Sequence, residues 1–468
     1  MEKIKQQLEE NINHSLTESI PTNKFLIKSF VGLGKTNNLH HIEKFTNESV
    51  VISFPTHNLK EEFIRENKGR IKNIQSTPTP PKELVKLISL QDDEIELEYL
   101  HKKIKEKFPA YYKSLNLSIT KPDSTIVTTH DAFFCSYFKF NQNIIIFDEV
   151  PNRLFGDIQN TSNLGINELS YLISISSLEF NTKKLLIKYI DDLLDEIKNN
   201  NPFLLQKENS PILIKLKNPI PENLREVLLS LKFEFKVKSY FFKKITSILQ
   251  HKLLYINYCN NSISSYNKFK FNDNKKYICL SATPNEFLFN KYNFKILKTD
   301  IPELKANIIN IPINTSKLSL SNQEIKNSIN KIISKEKIEC VISYKNTTFQ
   351  NQTYSVYFGC GMGTNKFDNK YKNVGIVGTP MNGKEYFYSL AIQSDKLELS
   401  YSDYEMKLTD ININNKIIPY LTFKHDWLAE EQLNQIENEI IQIIGRFRPI
   451  QNNVNIFLFS KLPILCKI

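Results

Sequence analysis

Residues Ser29 to Thr36 read SFVGLGKT, and their neighbours frame them as a junction between a strand and a helix. Gly32 and Gly34 permit backbone angles closed to other residues. A loop so built can turn its N–H groups inward around a phosphate, with Lys35 reaching the outer phosphates and the Thr36 hydroxyl meeting Mg²⁺. The preceding KFLIKSF is apolar on both faces and predicts a buried strand. The following TNNLHHIEKF predicts a helix whose positive end faces the anion. The phosphate-loop pattern asks for glycine at its first position, where this chain has Ser29, a small residue that can serve there. The same residues also fit an ordinary strand–turn–helix. The choice rests on whether the carboxylates and cations that a bound nucleotide requires occur further along.

The chain of 468 residues is long enough for about three domains. Hydrophobic residues make up 41%, enough for real cores. Lys and Arg number 61 against 50 Asp and Glu, a net charge of +11. An excess of that sign suits an anionic partner, nucleic acid first. Richness in Lys, Asn and Ile offers an equal alternative, a lysine-coated surface from a compositionally biased genome. The six cysteines form no CxxC pair, which argues against a zinc or iron–sulfur centre and for reduced thiols. MEKIKQQLEENINHSL carries acids and no apolar core, so no signal peptide is expected there. No apolar run approaches the ~20 residues of a membrane span. A cytoplasmic protein with no membrane partner is the expectation.

Short apolar runs recur: VVISFP (50–55), TIVTTH (125–130), NIIIFDEV (143–150) and YICLSATP (277–284). Alternating with helix-like stretches, they predict a parallel α/β sheet. A second set, IECVISYKN, TYSVYF, NVGIVGTP and VNIFLFS, follows residue 305 and predicts a second sheet. The stretch between Glu149 and Ser281 shows apolar residues at three- and four-residue steps and predicts helices. Of its runs, NTKKLLIKYIDDLLDEIKNN is the longest.

Three later motifs answer the loop. In IIIFDEV, Asp148 and Glu149 follow a buried strand, where one carboxylate can hold Mg²⁺ and the other can act on water. In SATP, the hydroxyls of Ser281 and Thr283 end another strand and can couple a nucleotide site to a neighbouring surface. In QIIGRFRPI, Arg446 and Arg448 can meet charge that builds on a transferring phosphoryl group, with Gln442 beside them. Each has a bland alternative: a surface turn, a common tripeptide, or a basic helix end in solvent.

Taken in order, these stretches resemble the motifs of superfamily 2 helicases, the DEAD/DEAH-like class. SFVGLGKT resembles motif I, FPTHNL motif Ia, VTTHDAFF the segment ahead of motif II, and FDEV motif II. LSATP resembles motif III, VISYKN motif IV, GCGMGTNKF motif V and QIIGRFR motif VI. The resemblance implies two tandem RecA-like parallel-sheet domains with a largely helical insertion in the first. Residues 1–154 and 271–304 would form domain 1, 155–270 the insertion and 305–468 domain 2. It implies ATP and Mg²⁺, with Gly32, Leu33, Gly34, Lys35 and Thr36 on the nucleotide and Thr36 and Asp148 on the metal. Catalysis would involve Lys35, Asp148, Glu149, Gln442, Arg446 and Arg448, and coupling Ser281 and Thr283. The chain departs from the pattern at Val150 and Pro151, since proline brings no side-chain donor or acceptor to the coupling. No glutamine is placed to read adenine; Gln6 and Gln7 sit in a helix-like stretch near the start.

The resemblance also implies single-stranded or partly duplex nucleic acid, DNA favoured over RNA, lying across both sheets. Its contacts would come from Pro55, Thr56, Thr129, His130, Ser343, Gly363, Thr364 and Asn365. His130 equally suits a hydrogen-bonded place in the core. The insertion interleaves lysines with aromatics, as in KFEFKVKSYFFKKI, which fits a nucleic-acid surface, a two-faced strand or a protein docking arm. An insertion at this place resembles the helical arch of one iron–sulfur helicase family, without that family's four cluster cysteines. Three activities fit: a helicase or translocase, an ATPase switch or translocase that does not unwind, and an inactive nucleic-acid-binding scaffold.

Overall fold

Strands apolar on both faces are stable only when both faces are covered, and the first half of the chain supplies several. The structure, a computed structural model, describes residues 1–18, 23–71, 73–81, 101–102, 104–119, 124–134, 140–151, 154–158, 164–165, 179–199, 212–215, 221, 224, 253–257, 262–267, 269–349, 354–358, 370–396, 399, 401–413 and 416–463. Strands β1 (Lys24–Lys28), β2 (Val50–Phe54), β3 (Gln75–Ser76), β4 (Ile126–Thr129) and β5 (Ile144–Asp148) belong to one sheet. Beyond the insertion, β11 (Lys276–Ser281) and β12 (Lys295–Lys298) join it, in the order β12-β1-β11-β5-β2-β4-β3. Every pairing is parallel.

The period-two rule divides these strands between two cores. Leu26, Val51, Ile126, Ile145, Phe147 and Cys279 enter one. Phe25, Ile27, Val50, Ile52, Val127, Ile146 and Ile278 enter the other. Helix Glu2–Thr17 covers the second core with Leu8, Ile12 and Leu16. Helix His57–Asn67 adds Phe63 to the same face.

The insertion holds β6 (Asp157–Ile158), β7 (Leu164–Gly165), β8 (Ile212–Lys215), β9 (Leu253–Asn257) and β10 (Ser262–Asn267). They pair antiparallel as β6-β10-β9-β8, with β7 on β10. The expected long helix is present as Phe180–Asn199. This small sheet is absent from the sequence reading, because its strands are short and interrupted by turns. NELSYLISISSLEF and LREVLLSLKFEF fall almost wholly outside the described residues, and KFEFKVKSYFFKKI entirely so.

The second parallel sheet contains β13 (Asn307–Ile311), β14 (Cys340–Ser343), β15 (Tyr354–Tyr357), β16 (Asn373–Val377) and β19 (Asn455–Phe459), ordered β13-β19-β16-β14-β15. Cys340, Ile342, Val374, Ile376, Ile456 and Leu458 face helix Asp426–Gly445 through Ile436, Ile440 and Ile444. Val341, Val377, Phe457 and Phe459 face helix Gln323–Lys335 through Ile329 and Ile333. Between β16 and β19 the chain forms a long antiparallel hairpin, β17 (Met406–Ile413) with β18 (Lys416–Phe423). The fold is therefore two tandem RecA-like parallel α/β domains with an insertion in the first. Among the described residues, no helix is long and apolar enough to cross a membrane. Cys279 and Cys340 are buried free thiols; the other four cysteines lie outside the described residues.

Phe289, on helix Glu286–Lys291, is fully buried, with the rings of Phe155 and Phe294 each 4.9 Å away. Phe289→Ala is expected to cost about 3–5 kcal/mol through lost burial and the cavity left behind. Urea unfolding measures it, and a loss under about 1 kcal/mol would show that this aromatic cluster is not part of the cooperative core.

Candidate active site

Because the first sheet is parallel, its strands all end at one edge. The registers Lys28↔Ser281, Leu280↔Asp148 and Ser53↔Phe147 bring the ends of β1, β11, β5 and β2 side by side. From β1 the chain passes through Ser29, whose N–H donates to the Ser281 carbonyl at 3.0 Å. Gly32 and Gly34 then adopt φ of 84° and 86°, the left-handed region that favours glycine. The helix that follows, Lys35–Leu39, has only five residues and gives way to a short 3₁₀ turn. It is shorter than its sequence suggests, so the loop's own N–H groups matter more than an extended helix dipole.

Asp148 shares its strand parity with Ile144 and Ile146, so its side chain lies on the face that carries Leu33 and Leu39. There the Thr36 hydroxyl donates to both carboxylate oxygens, at 3.1 and 3.0 Å. Asp148 is 4% exposed. Burial, and then the charge of Glu149, push its carboxyl up to about 6, against the pull of Thr36, Lys35 and Arg446. Lys35 is buried, with Nζ 3.5 Å from the Ser29 carbonyl and 4.0 Å from Glu149 Oε1. The hydroxyl of Thr36 and the carboxylate of Asp148 are hard oxygen donors and fit Mg²⁺, which takes one or two carboxylates plus substrate phosphates. Among the described residues no group of three or more His, Cys, Asp and Glu side chains is placed to hold a metal by itself.

Glu149 turns out of the strand with φ of 76°. Its N–H donates to the Leu280 carbonyl at 2.9 Å. Ser281 Oγ donates to Glu149 Oε2 at 3.2 Å, and the Thr283 N–H donates to Ser281 Oγ at 3.4 Å. Gln442 Nε2 reaches from the second domain to donate to Thr283 Oγ1 at 2.8 Å. A continuous hydrogen-bonded line thus runs from Glu149 to Gln442 without any contribution from Pro151. Nearby, Asn285 Nδ2 donates to Glu431 Oε2 at 3.0 Å across the same boundary. Burial and neighbouring Glu430 push the Glu431 carboxyl up to about 7.

Arg446 caps helix Asp426–Gly445 and is half-buried. Burial lowers its affinity for its proton, while Glu149 and Asp148 act in the opposite sense. Its Nε has no hydrogen-bond partner among the described residues. Arg448 sits on the next turn with φ of 47°. The two domains meet closely here: a Cβ added to Gly445 would lie 1.8 Å from Val31 Cγ1.

These groups surround one cavity of 360 Å³. Gly32, Leu33, Gly34, Lys35, Thr36, Asp148, Glu149, Gln442, Arg446 and Arg448 all line it. So do Lys5, Glu9 and Gln451, which sequence reasoning did not select. Lys5 and Glu9 share one face of the first helix at i and i+4 spacing, but nothing in the sequence links that helix to the loop. Gln7 instead exchanges hydrogen bonds with Asp300, and Gln6 donates to Glu10.

Pro55 lines the same cavity. Thr56 and Thr129 spend their hydroxyls as helix caps, on the N–H groups of Leu59 and Ala132. Ser343 is buried and donates to the Val377 carbonyl at 2.8 Å. His130 bonds to Ser53 within domain 1. Gly363, Thr364 and Asn365 lie outside the described residues.

No protein-family model and no curated protein matches the sequence. Solved structures do match. S. tokodaii Xpd4 aligns with a TM-score of 0.51 and 14% identity, covering 98% of this chain and 96% of that one. A structure of XPD in its apo form aligns at 0.48 and 16% identity, covering 97% and 96%. S. cerevisiae Dbp5 bound to RNA and ADP BeF3 aligns at 0.34 and 9% identity, covering 97% and 83%. The Xpd4 likeness shows a shared fold along nearly the whole of both chains.

The raised carboxyl of Asp148 has a consequence for stability. Its folded value of about 6 exceeds an unfolded value near 3.9, so native-state proton binding stabilises the fold below about pH 4 and that contribution is lost as pH rises through 6. Asp148→Asn removes the loss. Urea unfolding without Mg²⁺ or nucleotide is expected to show the variant gaining about 2–3 kcal/mol on the wild type between pH 4 and pH 7. A pH-independent gap would contradict it.

Proposed function

We propose that this chain is an ATP-dependent nucleic-acid motor, hydrolysing ATP between its two sheet domains to move along or unwind a strand. One observation carries the reading: a single cavity is lined at once by the glycine loop, by Asp148 and Glu149, and by Arg446 from the second domain. A phosphate-binding loop with its lysine and acids, but no cation from the second domain, would suit mere binding. The added arginine suits phosphoryl transfer, where charge grows on the equatorial oxygens.

In this reading the N–H groups of Gly32 to Thr36 and the Lys35 ammonium hold the β- and γ-phosphates. Thr36 and Asp148 hold Mg²⁺, which neutralises phosphate charge when bound. Glu149 orients the attacking water and accepts its proton. Arg446 is the arginine that meets the transition state, because it acts on both carboxylates. Arg448 contributes to holding the nucleotide. The line Glu149–Ser281–Thr283–Gln442 reports the state of the acid to the second domain. Opening and closing the boundary between the domains then alternates two grips on a strand, biased by the nucleotide. The net positive charge suits a nucleic-acid track, of which DNA is the first candidate and RNA the second.

Steady-state ATP hydrolysis with no nucleic acid, single-stranded DNA and single-stranded RNA tests this. Stimulation by one of them is expected, reduced to background in Lys35→Ala. Arg446→Ala is expected to lower kcat by about 10³-fold, and Arg448→Ala far less, chiefly through KM. Background rates in all three conditions would overturn the motor. A larger kcat loss in Arg448→Ala than in Arg446→Ala would reverse the assignment of the arginines.

A further inference from the structure

We infer that His130 is a positioning residue, which supports the Asp148–Glu149 peptide from the sheet face opposite the nucleotide cavity. The inference rests on the ATPase reading of that cavity, and it begins from a gap in the β-ladder.

Peptide groups along a strand point alternately to its two neighbours. The Glu149 N–H points to β11, where it meets the Leu280 carbonyl. The carbonyl of the same peptide, that of Asp148, therefore points to β2. With Ser53 opposite Phe147, the next β2 residue able to donate to it is residue 55. That residue is proline and has no N–H. The Asp148 carbonyl thus sits at a buried strand end without its ladder donor, and such groups are ordinarily satisfied by something else.

His130 is placed to do so. It begins helix His130–Phe133 at the end of β4, and Phe54 of β2 pairs with Thr129 beside it. Its ring lies edge-on to Phe147, centroids 5.9 Å apart, on the face of the first core cluster rather than the face of the Asp148 side chain. Nδ1 is 2.8 Å from Ser53 Oγ, and Ser53 is fully buried. A serine hydroxyl donating to Nδ1 leaves the neutral ring with its proton on Nε2. Nε2 is itself buried and has no hydrogen-bond partner among the described residues. Burial pushes the ring's pKa down to about 4, with the Asp148 backbone acting in the opposite sense. With Ser53 donating to Nδ1, the ring's one N–H is on Nε2 and is directed to the neighbourhood of the orphaned carbonyl.

The consequence falls on Glu149. It is not glycine, yet it holds φ of 76°, a conformation that persists only when its surroundings impose it. Leu280 fixes one end of the Asp148–Glu149 peptide and Ser281 fixes the carboxylate. His130 holds the remaining end when its N–H closes on the carbonyl, setting the direction in which Glu149 leaves the strand. It acts through the peptide and touches no substrate.

Two measurements test this, one of which does not depend on activity. In ¹⁵N-histidine spectra at pH 7, assigned by the signal lost in His130→Gln, the ring is expected as the Nε2–H tautomer. The Nδ1–H tautomer or a charged ring would overturn the inference, whatever the protein hydrolyses. In steady-state kinetics, His130→Ala and His130→Asn are expected to lower kcat for ATP about tenfold, with KM changed less than about twofold. His130→Gln, which places an amide N–H near the Nε2 position, is expected to recover most of the rate, and Ser53→Ala to fall between. Equal rates in the Asn and Gln variants, or parallel losses in kcat, KM and melting temperature, would overturn it. If the wild type and Lys35→Ala hydrolyse ATP equally, the ATPase reading fails and the tautomer alone decides the placement of the ring.

Discussion

The closeness of two backbones is the constraint on which the site depends. Val31 of the glycine loop lies where any side chain at residue 445 would have to go, with a Cβ there only 1.8 Å from Val31 Cγ1. Contacts below about 3 Å are not tolerated between carbon atoms, so only glycine lets the helix end reach the loop. That approach carries Arg446 towards Asp148 and Glu149, and places Gln442 within 2.8 Å of Thr283. Neither domain lines the cavity without the other. A nucleotide held there would bridge both, and its hydrolysis would alter what they share.

Inside the first domain the arrangement follows from parallel pairing. Strands running the same way deliver their following residues to one edge, so loop, acids and the Ser281 hydroxyl converge although far apart in sequence. The alternation of side chains then separates tasks by face. Asp148 serves the cavity, while Phe147 and Ser53 serve the core behind it, where His130 sits. The same two-faced pattern holds in the second sheet, where β16 and β19 feed separate cores on either side.

Much of this was legible in the sequence. Each apolar run named above is a strand, and the glycine loop, Asp148, Glu149 and residues of 442–448 singled out in the sequence line one cavity. The turn after β1 could be expected from Gly32 and Gly34, which both take positive φ ahead of Lys35 and Thr36. What was not legible was of two kinds. Elements outside the named apolar runs were missed: β3, β12, β13, the β17–β18 hairpin and the small antiparallel sheet of the insertion. Contacts made by remote elements were missed as well. Lys5 and Glu9 belong to a helix that periodicity explains as a core cover, and their place on the cavity depends on packing. Pro151 looked like a break in the coupling line, yet Ser281 reaches Glu149 directly at 3.2 Å. His130 allowed two readings, a nucleic-acid contact or a hydrogen-bonded place in the core, because a strand-end histidine is ambiguous until neighbours such as Ser53 and Phe147 are known.

The proposed motor requires that one nucleotide be held by both domains at once. Hydrogen exchange followed by mass spectrometry, with and without Mg²⁺ and a non-hydrolysable ATP analogue, addresses it most directly. Slowed exchange is expected in 29–36 and in 442–448 together, with the same dependence on nucleotide concentration. Slowing confined to 29–36, with 442–448 unchanged at saturation, would contradict it.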